Sequence, residues 1–243
     1  MKLRMDLTAS VPKDVERPEQ NEDSWAWDKA LTCFALSDGA SESYDSRTWA
    51  QLLVKRFATD PSFSPAWIAE AVAEYLQRID YGALSWSQQA AFERGSFSTL
   101  LGLQLVESGQ AVEVLAVGDS LACHVRSGAL ISTFPYVAAE EFEARPALLS
   151  TLRSENCFLL ETRFVAHNMR VTWTVQAGDV ILLVTDAVGQ WLLREKLNHP
   201  SSLQTLAAMS CSTELAALVL RMRAERRMRY DDSTVIRLIV DNG

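Results

Sequence analysis

The fold is decided by one short stretch, Cys33-Phe34-Ala35-Leu36-Ser37-Asp38-Gly39-Ala40-Ser41. The apolar run from Leu31 to Leu36 predicts a buried strand, and this strand ends abruptly in Asp38-Gly39. Such an ending places a carboxylate and a small, approachable backbone at the end of a sheet. A single Asp-Gly ending is usually only a turn, so its meaning depends on whether the pattern recurs.

The pattern does recur along the chain. A second apolar run, 180–184, ends in Thr185-Asp186, and Asp231-Asp232 opens the last apolar run, 234–240. Asn21-Glu22-Asp23 lies just upstream of the first run. The sequence therefore predicts a cluster of carboxylates at the ends of strands, with the spacing of a metal site.

The bulk composition limits the class of protein. With 243 residues the chain can bury the core of one domain, 1–243, although two small domains would also fit. The 31 acidic and 23 basic residues give a net charge of −8, which argues against nucleic acid as the main partner and fits a protein that binds cations or a cationic region of another protein. We expect no contact with a membrane, because no apolar run reaches the ~20 residues of a spanning helix. Four widely spaced cysteines favour a reduced, cytoplasmic protein.

The periodicity of the sequence predicts an α+β fold. Ser64-Pro65 opens a capped amphipathic helix that runs to about residue 79, and four strand-like runs between 97 and 134 predict an antiparallel meander. We expect further strands at 157–166, 170–176, 180–185 and 234–240, and helices at 188–197 and 213–229. Two sheets stacked face to face with helices outside them would accommodate these elements. The predicted fold is a four-layer α-β-β-α sandwich. Residues 135–156, which carry charges and Pro146, break the pattern of strands and are expected to form a mobile insert.

The acidic residues have the chemistry of a divalent-cation site. Magnesium and manganese prefer oxygen ligands, and carboxylates that converge repel one another unless a cation is present. Asp38 with the Gly39 carbonyl, Asp186 and Asp231 could ligate two ions about 4 Å apart, with Asp38 as the bridge. A water between two such ions would lose a proton near neutral pH and act as a nucleophile.

Six motifs occur in the order and approximate spacing of the metal-dependent type 2C protein phosphatases. They are Asn21-Glu22-Asp23, Leu36-Ser37-Asp38-Gly39, Gly95-Ser96-Phe97-Ser98-Thr99, Val117-Gly118-Asp119-Ser120, Leu183-Val184-Thr185-Asp186 and Asp231-Asp232-Ser233-Thr234. Each motif alone is weak, but together they span residues 21 to 240, and the chain resembles the shorter bacterial branch of this family.

The resemblance implies a function and a set of site residues. It implies a Mg- or Mn-dependent phosphatase that acts on phosphoserine and phosphothreonine in phosphoproteins, opposing a Ser/Thr kinase, by direct attack of a water between two ions. Asp38 would bridge the ions, Gly39 would give its carbonyl, Asp186 and Asp231 would hold one ion, and Glu22 or Asp23 would contact metal-bound water. Asp119 is the candidate ligand of a third ion. The segment 135–168 falls where the family carries a flap beside its cleft, so the resemblance implies a flap or mobile insert there.

The chain also departs from the family pattern. Ala187 follows Asp186 where a glycine is usual, Gln190 stands where some members have an acid, and Pro18 occupies the place of the phosphate-binding arginine. Arg17, with Lys13 behind it, is the candidate for phosphate binding. These departures keep two alternatives open: a regulatory or binding module with little turnover, and a phosphatase of small molecules on the same scaffold.

The basic run near the C-terminus has a simpler interpretation. Its members are Arg221, Arg223, Arg226, Arg227 and Arg229. We expect a solvated helix face that complements the negative end of the helix dipole, with a docking patch for phosphoproteins as the alternative.

Overall fold

Two five-stranded antiparallel sheets form the centre of the protein. The computed structural model describes residues 1–41, 43–106, 109–161, 169–199 and 201–242. The strands are β1 (Lys2–Val11), β2 (Ser24–Trp27), β3 (Cys33–Ser37), β4 (Phe97–Ser98), β5 (Leu100–Leu105), β6 (Ala111–Val117), β7 (Leu121–Arg126), β8 (Ala129–Phe134), β9 (Leu149–Ser150), β10 (Arg170–Thr174), β11 (Val180–Val184) and β12 (Ser233–Asp241). Sheet I has the order β1-β12-β11-β7-β8, sheet II has the order β10-β6-β5-β3-β2, and β4 pairs with β9.

Helices cover the outer face of each sheet. They are α1 (Ser46–Thr59), α2 (Pro65–Gln77), α3 (Trp86–Glu93), α4 (Asp186–Asn198), α5 (Ser201–Ala208) and α6 (Ser212–Ala224). The predicted cap of α2 is present, because the Ser64 hydroxyl accepts a hydrogen bond from the Trp67 N–H at 3.2 Å and Pro65 is the first helical residue. None of the helices in the described parts of the chain is long and apolar enough to cross a bilayer.

Three apolar clusters show the order of the layers. The inner faces of the two sheets pack against each other through buried residues such as Phe34, Leu101 and Ile236. Residues of α1 and α2 pack on the outside of sheet II, and residues of α4, α5 and α6 pack on the outside of sheet I. The predicted four-layer α-β-β-α sandwich is therefore confirmed.

The last helix is shorter than its apolar spacing predicts. It ends at Ala224, and Arg226 has a left-handed backbone with a φ of 57°. The N–H groups of Arg227 and Met228 turn back to the Met222 carbonyl, at 2.8 and 3.3 Å. The residues from 226 to 232 are therefore an irregular segment that leads into β12, and the expected solvated helix face is wrong for this part of the chain.

The segment expected to be a flap or insert contains short elements. Ala139–Glu143 and Arg153–Leu160 are 3-10 helices, and β9 lies between them. The strand predicted at 157–166 is wrong for residues 157–160, which continue the second 3-10 helix. Residues 162–168 lie outside the described parts of the chain. Whether 135–168 moves as a unit stays a prediction.

The topology brings the acidic motifs to one end of the sandwich. Asp38 follows β3 of sheet II, whereas Asp186 follows β11 and Asp231 precedes β12, both in sheet I. Asp119 lies in the turn that crosses from β6 in sheet II to β7 in sheet I. Both sheets therefore contribute carboxylates to the same edge.

Candidate metal centre

Asp38 is held in place by a network of hydroxyl groups beneath it. Its N–H donates to the Thr99 hydroxyl at 2.8 Å, and its carbonyl accepts from the Ser98 hydroxyl at 2.6 Å. The buried Thr99 hydroxyl also lies 2.9 Å from the hydroxyl of Ser120. Thr99 thus supports the end of β3 from below, and the backbone of Asp38 is fixed before any ligand binds.

Gly39 allows the first helix to approach the site closely. A Cβ atom at this position would lie 3.0 Å from the Cβ of Ser46, the first residue of α1. Any larger residue would push α1 away from the end of β3, and the pocket between them would change shape.

Four aspartates from separate parts of the chain line one small cleft. Asp38, Asp119, Asp186 and Asp231 surround a volume of about 160 Å³, together with Gly39 and Thr99. The cleft meets a depression of about 500 Å³ at Ser41 and another of about 260 Å³ at Pro146 and Leu148. The carboxylates therefore lie at the middle of an open groove.

Crowding changes the acidity of these carboxyl groups. Burial, followed by the charges of Asp23 and Asp186, raises the pKa of Asp38 well above its ordinary value. Burial and the charge of Asp186 raise the pKa of Asp119 to about 6. Burial and the charge of Asp231 raise the pKa of Asp186, against the opposing effect of Arg229. Such shifts mark a place where a divalent cation would relieve repulsion.

Asp23 is buried behind the cleft and is held by neutral donors. Its Oδ2 accepts from the Thr234 hydroxyl at 2.5 Å and from the Thr185 hydroxyl at 3.3 Å. The Ser10 hydroxyl lies 2.7 Å from that of Thr234 and accepts from the Asn21 amide at 2.8 Å. Burial, despite the Thr234 hydrogen bond, raises the pKa of Asp23 well above its ordinary value.

Glu22 faces the larger depression and not the four-aspartate cleft. Glu22 lines that depression with Asp232 and Lys13, and its Oε1 accepts from the Ser46 hydroxyl. The Asp232 carboxylate accepts from the N–H groups of Glu22 at 2.8 Å and Lys13 at 2.6 Å. Asp232 therefore fixes the two strand-end segments that carry Glu22 and Lys13.

Asp186 divides its two carboxylate oxygens between different surroundings. It is the first residue of α4, where the helix dipole favours negative charge. Its Oδ2 accepts from Nη1 of Arg229 at 3.1 Å. Its Oδ1 is buried without a hydrogen-bond partner among the described residues, and the same is true of Asp23 Oδ1.

The predicted phosphate-binding residue Arg17 lies outside this cleft. Its side chain is 64% exposed and its Nε is 3.7 Å from the Asp14 carboxylate. Lys13 lies nearer, because its Nζ is 3.5 Å from Asp231 Oδ1 and it lines the depression that meets the cleft. Arg17 and Lys13 both stay candidates for phosphate binding, and the position of Lys13 favours it over Arg17.

The residues of the cleft fit a hard divalent cation in their chemistry. Carboxylate oxygens dominate the lining, and a buried carboxylate oxygen without a partner, such as Asp186 Oδ1, calls for a cation or another donor. Within the described ranges, no three or more His, Cys, Asp and Glu side chains are already arranged closely enough to hold a metal ion. Binding would therefore need side-chain adjustment, since the carboxylates repel one another.

Comparisons with known proteins identify the fold. The Mycobacterium tuberculosis serine/threonine phosphatase PstP/Ppp matches over 100% of both chains, with a TM-score of 0.62 and 17% identity. The PstP catalytic domain in complex with two manganese ions matches over 99% of both chains, with a TM-score of 0.58 and 18% identity. The photosystem II phosphatase PBCP matches over 98% of this chain and 99% of its own, with a TM-score of 0.61 and 14% identity.

The chain has the type 2C phosphatase fold. No protein-family model and no curated protein matches the sequence, so the likeness is one of structure. The type 2C fold explains why both sheets end at one cleft, and it agrees with the family that the six sequence motifs indicate.

Two arginines beside the cleft are absent from the site residues that the sequence predicts. Arg223 is buried and donates to the carbonyls of Pro12, at 2.9 Å, and Asp231. Arg229 donates to Asp186 and to the Phe142 carbonyl, at 3.1 and 3.0 Å. The prediction that both arginines lie on a solvated helix face is therefore wrong. The proximity of Arg229 to Asp231-Asp232 in the sequence was the signal that could have placed it in the site.

Proposed function

We propose that this protein is a magnesium- or manganese-dependent phosphatase of phosphoserine and phosphothreonine in proteins. The observation that carries the proposal is the convergence of Asp38, Asp119, Asp186 and Asp231 on one cleft. This cleft lies in a fold shared with serine/threonine phosphatases, one of which is known in complex with two manganese ions. The proposed partner is a phosphoprotein, whose phosphorylation a Ser/Thr kinase would supply.

Asp38, Asp186 and Asp231 would hold two ions, and the Gly39 carbonyl would add a neutral oxygen ligand. When bound, such ions would neutralise the phosphate and activate a water for attack on phosphorus. The chain itself positions the carboxylates. The hydroxyl network beneath Asp38 fixes the backbone of that residue, and the dipole of α4 favours the ionised form of Asp186. Asp23 would act from behind the cleft, held by Thr185 and Thr234.

The groove on either side of the cleft provides room for a protein substrate. Glu22 lies on one side of it, held by the Ser46 hydroxyl, and Lys13 lies close to Asp231. The Lys13 ammonium group would attract the phosphate oxygens that face away from the ions. Pro146 and Leu148, from the proposed flap, border the cleft on the opposite side.

Removal of metal tests the proposal directly. Hydrolysis of a phosphothreonine peptide should fall at least about a hundredfold in EDTA and return with manganese or magnesium. Asp38→Asn should abolish turnover, because a neutral amide would replace the carboxylate shared by two cations. Asp241→Asn, the same change at an exposed pair with Arg4, is the matched control and should keep full activity. Hydrolysis that is indifferent to EDTA would contradict the proposal.

A binding module with little turnover is the second candidate. It is favoured by the arrangement of the carboxylates, because those in the described residues do not yet form a closed metal site and Arg229 already engages Asp186. Calorimetric binding of a phosphopeptide without its hydrolysis, in saturating manganese, would support this candidate over the enzyme. Turnover of a small phosphate ester but not of any phosphopeptide would support the third, a small-molecule phosphatase.

A further inference from the structure

Arg229 connects the candidate metal centre to the segment beside it. Its Nη1 donates to Asp186 Oδ2 at 3.1 Å, and its Nη2 donates to the Phe142 carbonyl at 3.0 Å. Nη2 also lies 3.7 Å from Glu143 Oε1. One rigid guanidinium group therefore bridges a predicted metal ligand and the 3-10 helix Ala139–Glu143.

We propose that Arg229 is a positioning residue that serves as a resident cation at the Asp119–Asp186 edge of the cleft and ties Ala139–Glu143 to that edge. The inference deepens the proposed function and rests on it in one respect, namely that the cleft takes divalent cations. It assigns to this side of the cleft a permanent positive charge from the chain itself, in the place where a third ion was expected.

Arg229 already balances part of the negative charge at the Asp119–Asp186 edge of the cleft. Asp186 gives Oδ2 to Arg229 and keeps Oδ1 buried and without a partner among the described residues. Because a guanidinium stays protonated at all physiological pH values, its charge does not depend on metal or proton concentration. The charge of Arg229 also opposes the rise in the pKa of both Asp119 and Asp186. One oxygen of Asp186 therefore remains for an ion, while the other is committed to the chain.

The contacts of Arg229 with Ala139–Glu143 act together with contacts from the first turns of α4. A Cβ at Gly189 would lie 3.1 Å from the Phe142 ring, so the ring sits directly on the helix backbone. Gln190 donates from Nε2 to Glu143 Oε1 at 2.9 Å. An acid at position 190 would repel Glu143, and this explains why a glutamine suits this chain. Gln190 and Arg229 thus hold the same short helix from two sides.

The end of the last helix determines where Arg229 points. The left-handed Arg226 ends the helical path, and Arg227 pairs with the buried Glu195 of α4. These contacts anchor the segment just before Arg229 and Asp231. After Arg229, the Asp231 carbonyl accepts a hydrogen bond from Arg223. Arg229 is therefore presented to the cleft by a backbone that is anchored on both sides, as a positioning role requires.

Calorimetric titration of the full chain with Mn²⁺ alone tests whether the positive charge of Arg229 weakens metal binding. Arg229→Gln should bind manganese about tenfold more tightly, or bind one more ion per chain, because the Asp119–Asp186 edge loses its cation. Arg229→Lys keeps the charge and should match the unmodified chain within about threefold. Arg221→Gln removes an exposed arginine whose side chain has no hydrogen bond or ion pair in the described structure, and serves as the matched control.

Limited proteolysis with a glutamate-specific protease tests whether Arg229 holds Ala139–Glu143 against the cleft. Cleavage after Glu140 and Glu143, both exposed, should be at least about fivefold faster in Arg229→Gln. It should also be faster in Arg229→Lys, since an ammonium group cannot bridge Asp186 and the Phe142 carbonyl with the fork of a guanidinium. Gln190→Leu, which removes only the second contact to Glu143, should show a smaller increase.

The outcomes separate this inference from the proposed function. Unchanged manganese binding and unchanged cleavage in folded Arg229→Gln, checked by circular dichroism, would overturn the inference even if the enzyme is active. Failure of both the unmodified chain and Arg229→Gln to bind manganese would overturn it as well. A chain that binds manganese with the expected variant effects but hydrolyses no phosphopeptide would refute the proposed function and leave the inference standing.

Discussion

The two ends of β11 each carry an aspartate, and the two carboxylates have opposite surroundings. Asp179, just before the strand, is 1% exposed and is held by Arg126, with Nη2–Oδ2 and Nε–Oδ1 distances of 2.7 and 2.8 Å. His124 Nε2 lies 2.8 Å from its Oδ2, and the Gln176 N–H donates to the same oxygen. Asp186, just after the strand, has one guanidinium and several neighbouring carboxylates.

The acidity of the two groups reflects this difference. Burial alone would raise the pKa of Asp179, but hydrogen bonds from Arg126 and His124 outweigh it and lower the pKa to about 2. At the other end, burial and the charge of Asp231 raise the pKa of Asp186. The fully hydrogen-bonded Asp179 stabilises the turn before β11. The carboxylates around Asp186 repel one another, and a cationic ligand can relieve that repulsion. Asp179 is therefore a structural group and Asp186 a candidate functional one.

A matched pair of substitutions gives the largest expected effects. Asp186→Asn should lower kcat/KM for a phosphothreonine peptide by about a thousandfold, because an amide is a poor ligand for magnesium or manganese. Its free energy of unfolding in EDTA should be unchanged or higher, since repulsion is removed. Asp179→Asn should instead lower the free energy of unfolding by about 2–4 kcal/mol, because the buried carboxylate that pairs with the partly exposed Arg126 guanidinium loses its charge.

Steady-state kinetics and urea denaturation of both variants would check this contrast. The folded fraction of Asp179→Asn should keep kcat/KM within about threefold of the unmodified chain. If Asp179→Asn lost activity while fully folded, or if Asp186→Asn were the less stable of the two, the division between structural and functional ends of β11 would be wrong.

The contrast also shows what the sequence could predict. An apolar run followed by an acidic residue predicted the strands at 31–37 and 180–185, and stacking of two sheets followed from their number and spacing. The fold was within reach because apolar periodicity reports burial on a sheet face. The same local pattern cannot distinguish Asp179 from Asp186, since the difference lies in partners that approach from distant parts of the chain, such as Arg126 and Arg229.

The arginines between 221 and 229 show even more clearly that a local sequence pattern does not predict partners from distant parts of the chain. The basic residues at 221–229 follow a helical spacing, but the helix ends at Ala224 and the segment folds back on Met222. The burial of Arg223 and the bridge made by Arg229 depend on that turn. A left-handed Arg226 has no signal in the sequence, because arginine rarely adopts this conformation. Position in the chain thus predicted which carboxylates line the cleft better than it predicted the arginines beside them.

The dependence of stability on pH should have opposite signs at the two ends of β11. The pKa of Asp179 is lowered from 3.8 to about 2 in the folded chain, so its contribution of about 2 kcal/mol is present above pH 4 and is lost as the pH falls from 4 to 2. The pKa of Asp186 is raised on folding, so its charged form destabilises the metal-free fold above its unfolded pKa.

Urea denaturation in EDTA at pH 2.5, 4 and 7 would measure these contributions. The stability of Asp179→Asn should fall less than that of the unmodified chain between pH 4 and 2.5, and Asp186→Asn should gain stability mainly at pH 7. Parallel pH profiles for all three proteins would show that neither carboxylate has the acidity described.

The smallest effect concerns the cation that meets the substrate phosphate. Lys13 lines the depression beside the cleft and lies 3.5 Å from Asp231 Oδ1, whereas Arg17 is 64% exposed and pairs with Asp14. A charged contact to phosphate should be worth about 1.5 kcal/mol for the half-exposed Lys13, and less for a fully solvated group. Lys13→Ala should therefore lower kcat/KM about tenfold, mainly through KM, and Arg17→Ala should change it less than twofold. The gap should narrow as salt is raised to about 0.5 M, because screening weakens an exposed pair. The reverse order, with a large loss in Arg17→Ala alone, would place the phosphate contact at Arg17 and require the segment around Pro18 to move towards the cleft when substrate binds.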